Sequence, residues 1–245
     1  MLLIGLDAAS QFKNFGYAIG TYEHGRVWIK QAGLVESHSE RNALATIVAQ
    51  EIRAATSALI AIDAPLGWPI TLAKELINHN AGEAFVSEKD AMFRRETDKY
   101  VKAITGKNPL EVGADKIARA AHAALAALKC LRAESGNEIP LAWSKNFLGQ
   151  AAIEVYPAGT LKARGLPDSK YKKPVELAVR IDIASRLANE IDGLTTYADG
   201  SADVFDACLC LIAAKDFLDG LADPPGDLQL AQREGWIWVR RPLEK

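Results

Sequence analysis

Apolar and polar positions along the chain follow two different periods, and the switches between them mark out its elements. Leu2-Leu3-Ile4-Gly5-Leu6-Asp7 is a short apolar run closed by an acid, the pattern of a strand buried on both faces. Two more strands are predicted over residues 15–21 and 26–34, joined across Tyr22-Glu23-His24-Gly25, whose glycine suits a hairpin turn. From 40 to about 56 the period becomes helical, with Leu44, Ile47, Val48 and Ile52 on one stripe, and Ser37 with Glu40 makes a capping box. Residues 58–62 then return to an apolar strand.

The pattern over 70–135 is mostly helical. Pro69 fits a first helical turn, Ser87 caps a following helix, and 114–133 is rich in alanine. This stretch is predicted as a helical insertion in a single domain spanning 1–245. Residues 151–156 read as a strand stopped by Pro157 and Gly159. Pro174 opens a helix predicted to run through Ile191, with Ala178, Ile181, Ala184 and Leu187 on one face. Ser201 begins the last long helix, to about Leu218, and 235–239 forms a short terminal strand after the Asp223-Pro224-Pro225-Gly226 break. Three strands, a helix and a fourth strand is the opening order of the ribonuclease H-like fold, which the actin-like ATPases share. The expected architecture is therefore α/β: a three-stranded antiparallel meander extended by parallel strands into a mixed sheet, flanked by helices.

Composition narrows the possible partners. A chain of 245 residues that is 49% hydrophobic can bury a large core. Its 29 basic residues nearly cancel its 31 acidic ones, so no global positive field draws it onto nucleic acid, and a polyanion must meet a local basic patch. Cys208 and Cys210 lie in an Ala-rich helical run where neighbouring side chains diverge, and Cys130 is remote, so no disulfide framework or zinc site is expected. His24, His38, His79 and His122 lack ligand spacing. The N-terminus has no basic leader or cleavage site, and acids interrupt every apolar run before membrane-spanning length. The expectation is a soluble, cytoplasmic protein with no membrane partner; the sequence assigns no oligomeric state.

The chemistry lies in acids at the ends of apolar runs. Asp7 closes the first strand, Asp63 closes the fourth ahead of the rigid Ala64-Pro65-Leu66-Gly67-Trp68-Pro69, Glu154 sits in the strand over 151–156, and Asp203 and Asp206 share a helix face. Open sheets deliver side chains into a crevice beyond their strand ends, and acids gathered there hold hard divalent cations. Each also has a structural reading: an Asx turn for Asp7 or Asp63, an exposed strand glutamate for Glu154, a macrodipole contact for Asp203. Asp206, flanked by Phe205, Ala207 and Cys208, is a carboxylate on a buried helix and needs compensation. An all-oxygen set suits Mg2+ or Mn2+, and two such ions about 3.5–4 Å apart can activate water and stabilise the phosphoryl oxygens and leaving alkoxide. Candidate phosphate ligands are Arg94 and Arg95 in the run from Phe93 to Lys102, and Lys170 and Lys172 in Lys170-Tyr171-Lys172-Lys173, with solvated charged surface as the competing account. Trp236 and Trp238 alternate as strand residues, one of them facing inward.

The motifs GLDAAS, AIDAPLGWP, RRETD, EVYPAG with LKARGLPDSKYKKP, DVFDACLCLIAA and EGWIWV resemble the family called domain of unknown function 429 over nearly the whole chain. That family is regarded as predicted nucleases of the ribonuclease H-like superfamily. The resemblance implies Asp7, Asp63, Glu154 and Asp206 as the acidic centre and Arg95, Thr97, Asp98 and Tyr156 as site-lining residues. The leading expectation is a metal-dependent nuclease acting on nucleic acid or a small phosphodiester. The alternatives are a non-catalytic nucleotide- or nucleic-acid-binding regulator, and an actin-like phosphotransferase or ATPase. The last needs a glycine-rich phosphate loop that the sequence lacks.

Overall fold

The computed structural model describes residues 1–35, 42–113 and 115–242. The Ser37–Glu40 capping box and the predicted helix starts at 40 and 114 lie outside them. The strands are β1 (Leu2–Asp7), β2 (Gly16–Glu23), β3 (Arg26–Leu34), β4 (Ala58–Asp63), β5 (Gln150–Glu154) and β6 (Ile191–Asp192). The helices are α1 (Asn42–Ala54), α2 (Ile70–Leu76), α3 (Lys89–Phe93), α4 (Glu96–Thr105), α5 (Asp115–Ser135), α6 (Pro157–Ala163), α7 (Leu177–Leu187), α8 (Ala202–Leu218) and α9 (Leu228–Glu234). Among the described residues one six-stranded mixed sheet forms in the order β5-β4-β1-β2-β3-β6. β1, β2 and β3 pair antiparallel, while β4 and β5 extend the β1 side in parallel. The β2–β3 turn is tighter than expected: only His24 and Gly25 link the strands, both at positive φ, as two-residue hairpin turns require.

Strand alternation sorts the core into two layers. Leu2, Ile4 and Leu6 of β1 and Ala58, Ile60 and Ile62 of β4 pack under Leu44, Val48 and Ile52 of α1 and Leu128 and Leu131 of α5. Leu3, Leu59, Ala61, Ala151 and Ile153 face the other way, onto α8. α5, expected as part of an insertion, thus completes one layer of the central core. α8 has no solvent-facing polar stripe, and every residue from Val204 to Phe217 is buried, Asp206, Lys215 and Asp216 among them, as in a helix enclosed on all sides.

Two glycines let α8 approach the sheet at backbone distance. A Cβ at Gly5 would lie 2.0 Å from the Ala207 carbonyl oxygen, and one at Gly16 would lie 2.1 Å from that of Asp203. Neither clash can be relieved by a side-chain rotation, because the obstacle is backbone. Gly5→Ala is expected to destabilise by at least the ~1–3 kcal/mol typical of overpacking, whereas Gly226→Ala, with open space around it, is expected to stay near wild type. Urea denaturation of the two variants checks this, and coincident midpoints would show that the close approach does not set the helix position.

Several boundaries differ from expectation. The helix predicted through Ile191 ends at Leu187, because Ile191 pairs in parallel with Val27 as β6. Its buried face carries Arg180, Ile183, Ala184 and Leu187; Ile181 is 44% exposed and Ala178 is also exposed. Pro157 does not merely stop β5 but starts α6, with Gly159 fitting under the Tyr156 ring. Ser87 caps nothing: the N-cap of α3 is Glu88, and the Ser87 hydroxyl bonds Glu75 at 2.6 Å. The terminal segment makes single bridges at Ile237 and Arg240 rather than a strand, and both Trp236 and Trp238 pack inward. No helix among the described residues is long and apolar enough to cross a membrane.

Candidate metal centre

β1 and β4 run parallel in a register that pairs Asp7 with Asp63, and both strands stop there. By alternation Asp7 follows Leu3 and Gly5, and Asp63 follows Leu59 and Ala61, so both carboxylates project on the α8 side. Asp206 meets them from α8, whose N-terminus is set by Ser201 accepting the Asp203 N–H at 3.2 Å. One ligand oxygen from each of Asp7, Asp63 and Asp206 lies within 4.8 Å of the others. Oxygens about 2.0–2.6 Å from a shared cation stand up to about 4–5 Å apart, so the three fit one hard ion.

The loop before α7 closes over Asp206. The Tyr171 hydroxyl donates to Asp206 Oδ1 at 2.8 Å, and the Lys172 ammonium pairs with Oδ2. The Lys172 side chain is 54% exposed, yet its ammonium reaches the fully buried Asp206. Buried Arg180 anchors the loop, donating to the carbonyls of Tyr171 (3.1 Å), Ala198 (2.6 Å) and Gly200 (3.2 Å). Tyr171 and Arg180 are site-building residues that sequence reasoning did not single out. The signal for Tyr171 was an aromatic residue among lysines; for Arg180 there was none.

Burial and mutual repulsion make these acids reluctant to ionise. Burial, with the Asp63 and Asp206 carboxylates, raises Asp7 well above the usual range. Burial pushes Asp63 up to about 7, with Lys172 opposing and Asp206 adding to it. Asp206 is raised by burial and partly restored by Lys172 and Tyr171. Lys172 is held above its ordinary range by Asp206, Asp63 and Asp7 despite its own desolvation. Between its ordinary 3.8 and about 7 the folded Asp63 binds a proton that the unfolded chain has lost, so its contribution to metal-free stability falls as pH rises. A divalent cation needs the ionised form, so its stabilising effect is expected to grow over the same interval. Thermal melts with and without Mn2+ should show a clearly larger shift at pH 8 than at pH 5.5, and equal shifts would contradict the site.

The other predicted residues fall into two groups. Lys170, Lys172 and Tyr156 line the cleft of about 510 Å³ that also exposes Asp7 and Asp63, and Lys170 does so from a left-handed backbone at φ 69°. Glu154 does not join the three aspartates. It borders the same cleft, but on β5 it shares the parity of Ala152, and its carboxylate takes Arg95 on both oxygens (2.7 and 2.9 Å) and the Leu66 N–H (2.9 Å). Asp203 occupies the first turn of α8, outside the trio. Arg95 borders the cleft, but it is 1% exposed and all five of its donors are spent on Glu154, Asp98 and the Glu234 carbonyl, leaving none for a phosphate. Asp98 and Thr97 are buried; Asp98 holds Arg95, and Thr97 accepts the Ile237 N–H at 2.7 Å. Arg94 turns away, to Asp90, Glu111 and Asn108. The Arg95–Asp98 stretch is therefore a latch that fastens α4 to the end of β5 and to the C-terminal segment. Sequence could not separate the two uses, because buried and phosphate-binding arginines draw on the same bidentate geometry.

The family model described as a protein of unknown function (DUF429) matches residues 26–229, a stretch that includes Asp63 and Asp206 and begins after Asp7. No curated protein matches the chain. The chain belongs to the DUF429 family.

Proposed function

We propose that this member of the DUF429 family is a divalent-metal-dependent hydrolase of phosphodiester bonds, of the nuclease class, on a ribonuclease H-like sheet. The observation that carries the reading is the meeting of Asp7, Asp63 and buried Asp206 from β1, β4 and α8, with Asp7 and Asp63 in the wall of a cleft. The strand order supports the fold assignment, since the β1–β2–β3 meander continues through parallel β4 and β5 on the β1 side. The donor set is all carboxylate oxygen, which favours Mg2+ or Mn2+ over softer metals. When bound, such an ion supplies Lewis acidity and lowers the pKa of a bound water.

The chain's own residues do the rest. Asp7, Asp63 and Asp206 hold the cation, Tyr171 keeps Asp206 oriented, and Lys172 swings its ammonium from Asp206 to a non-bridging phosphate oxygen. In the hydrolysis, a water molecule loses one proton as its oxygen forms the new bond to phosphorus, the P–O bond to the leaving alkoxide breaks, and the alkoxide takes up one proton, so that the elements of one water are divided between the phosphate and the leaving alcohol. Three carboxylates and one ammonium leave two negative charges when ionised, which one divalent ion neutralises. With Lys172 moved off the cluster, the three carboxylates and the single negative charge of a bound phosphodiester would match two divalent ions.

Calorimetric titration of chelator-treated protein with Mn2+, paired with labelled single strands, duplexes and hybrids, tests the reading. Saturable binding and chelator-sensitive cleavage are expected; absence of both removes it. A second reading, a binding protein without turnover, draws on Lys172 already neutralising Asp206. It predicts ligand binding with no hydrolysis in the same assay.

A further inference from the structure

We infer that the cleft takes a small phosphodiester bearing a nucleoside-sized apolar group, in preference to a duplex or a long strand. This deepens the hydrolase reading above and rests on it for the chemical step. The cleft measures about 510 Å³, within the ~300–1,000 Å³ span of small-molecule sites. Asp7 and Asp63 lie in its wall, and much of the remaining lining is apolar: Pro65, Pro109, Leu110, Ile117, Val155 and Ile237. Leu110 is 69% exposed, a large apolar side chain left in water on the wall of the candidate site.

A groove that tracks a nucleic-acid strand needs cations spaced along the phosphates. Here Arg95 has no free donor, and Lys107 is bound to the Asp168 carboxylate at 2.6 Å. The remaining cationic lining, Lys170, Lys172 and Lys173, comes from one short loop, enough for a single phosphate group. The chain as a whole has a net charge of -2, so no long-range field adds to them. Affinity must then come from an apolar body laid against the Leu110 and Ile117 wall, with one phosphate beside the acids and the Tyr156 hydroxyl available for a polar edge.

The full chain with Mn2+ is assayed against bis(p-nitrophenyl) phosphate, a dinucleoside monophosphate, a long single strand and its duplex. The expected result is kcat/KM for the dinucleoside monophosphate ~100-fold above the per-bond value for the duplex. Leu110→Asp, at a position too exposed to threaten folding, should raise its KM roughly tenfold. Equal or faster cleavage of the duplex or long strand would overturn the inference and leave the hydrolase reading standing. If no diester is hydrolysed, the hydrolase reading fails, and calorimetry with the dinucleoside monophosphate decides the pocket alone. Saturable binding weakened by Leu110→Asp then supports it, and no binding, or binding indifferent to that change, overturns it.

Discussion

Asp63→Asn is expected to lower metal-dependent phosphodiester hydrolysis by ~10³-fold or more, with the protein still folded. A loss of that size corresponds to about 4 kcal/mol of transition-state stabilisation, in line with the several kcal/mol a catalytic cation supplies. Asp63 is the informative position because it pairs in register with Asp7 and lies within ligand distance of Asp206, so losing its charge removes a third of the donor set. Asparagine keeps the shape and relieves a buried carboxylate whose ionisation is already opposed. The metal-free variant should therefore melt no lower than wild type at pH 8, while Mn2+ loses most of its stabilising effect. Rates and melts together separate the site from a merely structural aspartate: a variant that cleaves normally, or one that unfolds, would refute the assignment.

The largest stability loss is expected from Arg95→Met, about 3–5 kcal/mol and a drop in thermal midpoint of roughly 10 °C. The guanidinium sits between Glu154 and Asp98, all three nearly inaccessible to water, and its removal strands two carboxylates in the interior. Arg95→Lys should recover little, since three rotatable donors cannot replace five in a planar fork. Adding Glu154→Gln to Arg95→Met should return part of the loss by neutralising one orphaned acid. Urea unfolding of the single and double variants measures the coupling, and an Arg95→Met protein with a wild-type midpoint would refute the latch.

Much of the architecture was legible in residue order. The apolar runs ending in Asp7 and Asp63, the hairpin glycine and the helical stripe of α1 are local signals, governed by periodicity and turn chemistry that act over a few residues. The helix ends were less legible, since Ile191 leaves its helical pattern only because β3 offers a backbone partner. The site divided the same way. That acids would collect beyond the strand ends followed from where the strands stop, but the membership of the cluster did not.

By itself, then, the sequence determined the meander, the parallel continuation and the two strand-end aspartates, because each depends on short-range pattern. The residue pattern put Asp203 and Asp206 on one helix face, and only the packing of α8 against Gly5 and Gly16 brings Asp206, the one the family resemblance implied, within reach of Asp7 and Asp63. Tertiary structure also assigned Glu154 to Arg95: that carboxylate reaches the same cleft as Asp7 and Asp63, but both of its oxygens are engaged by the buried guanidinium, since a buried charge must find its counter-ion where the chain brings one.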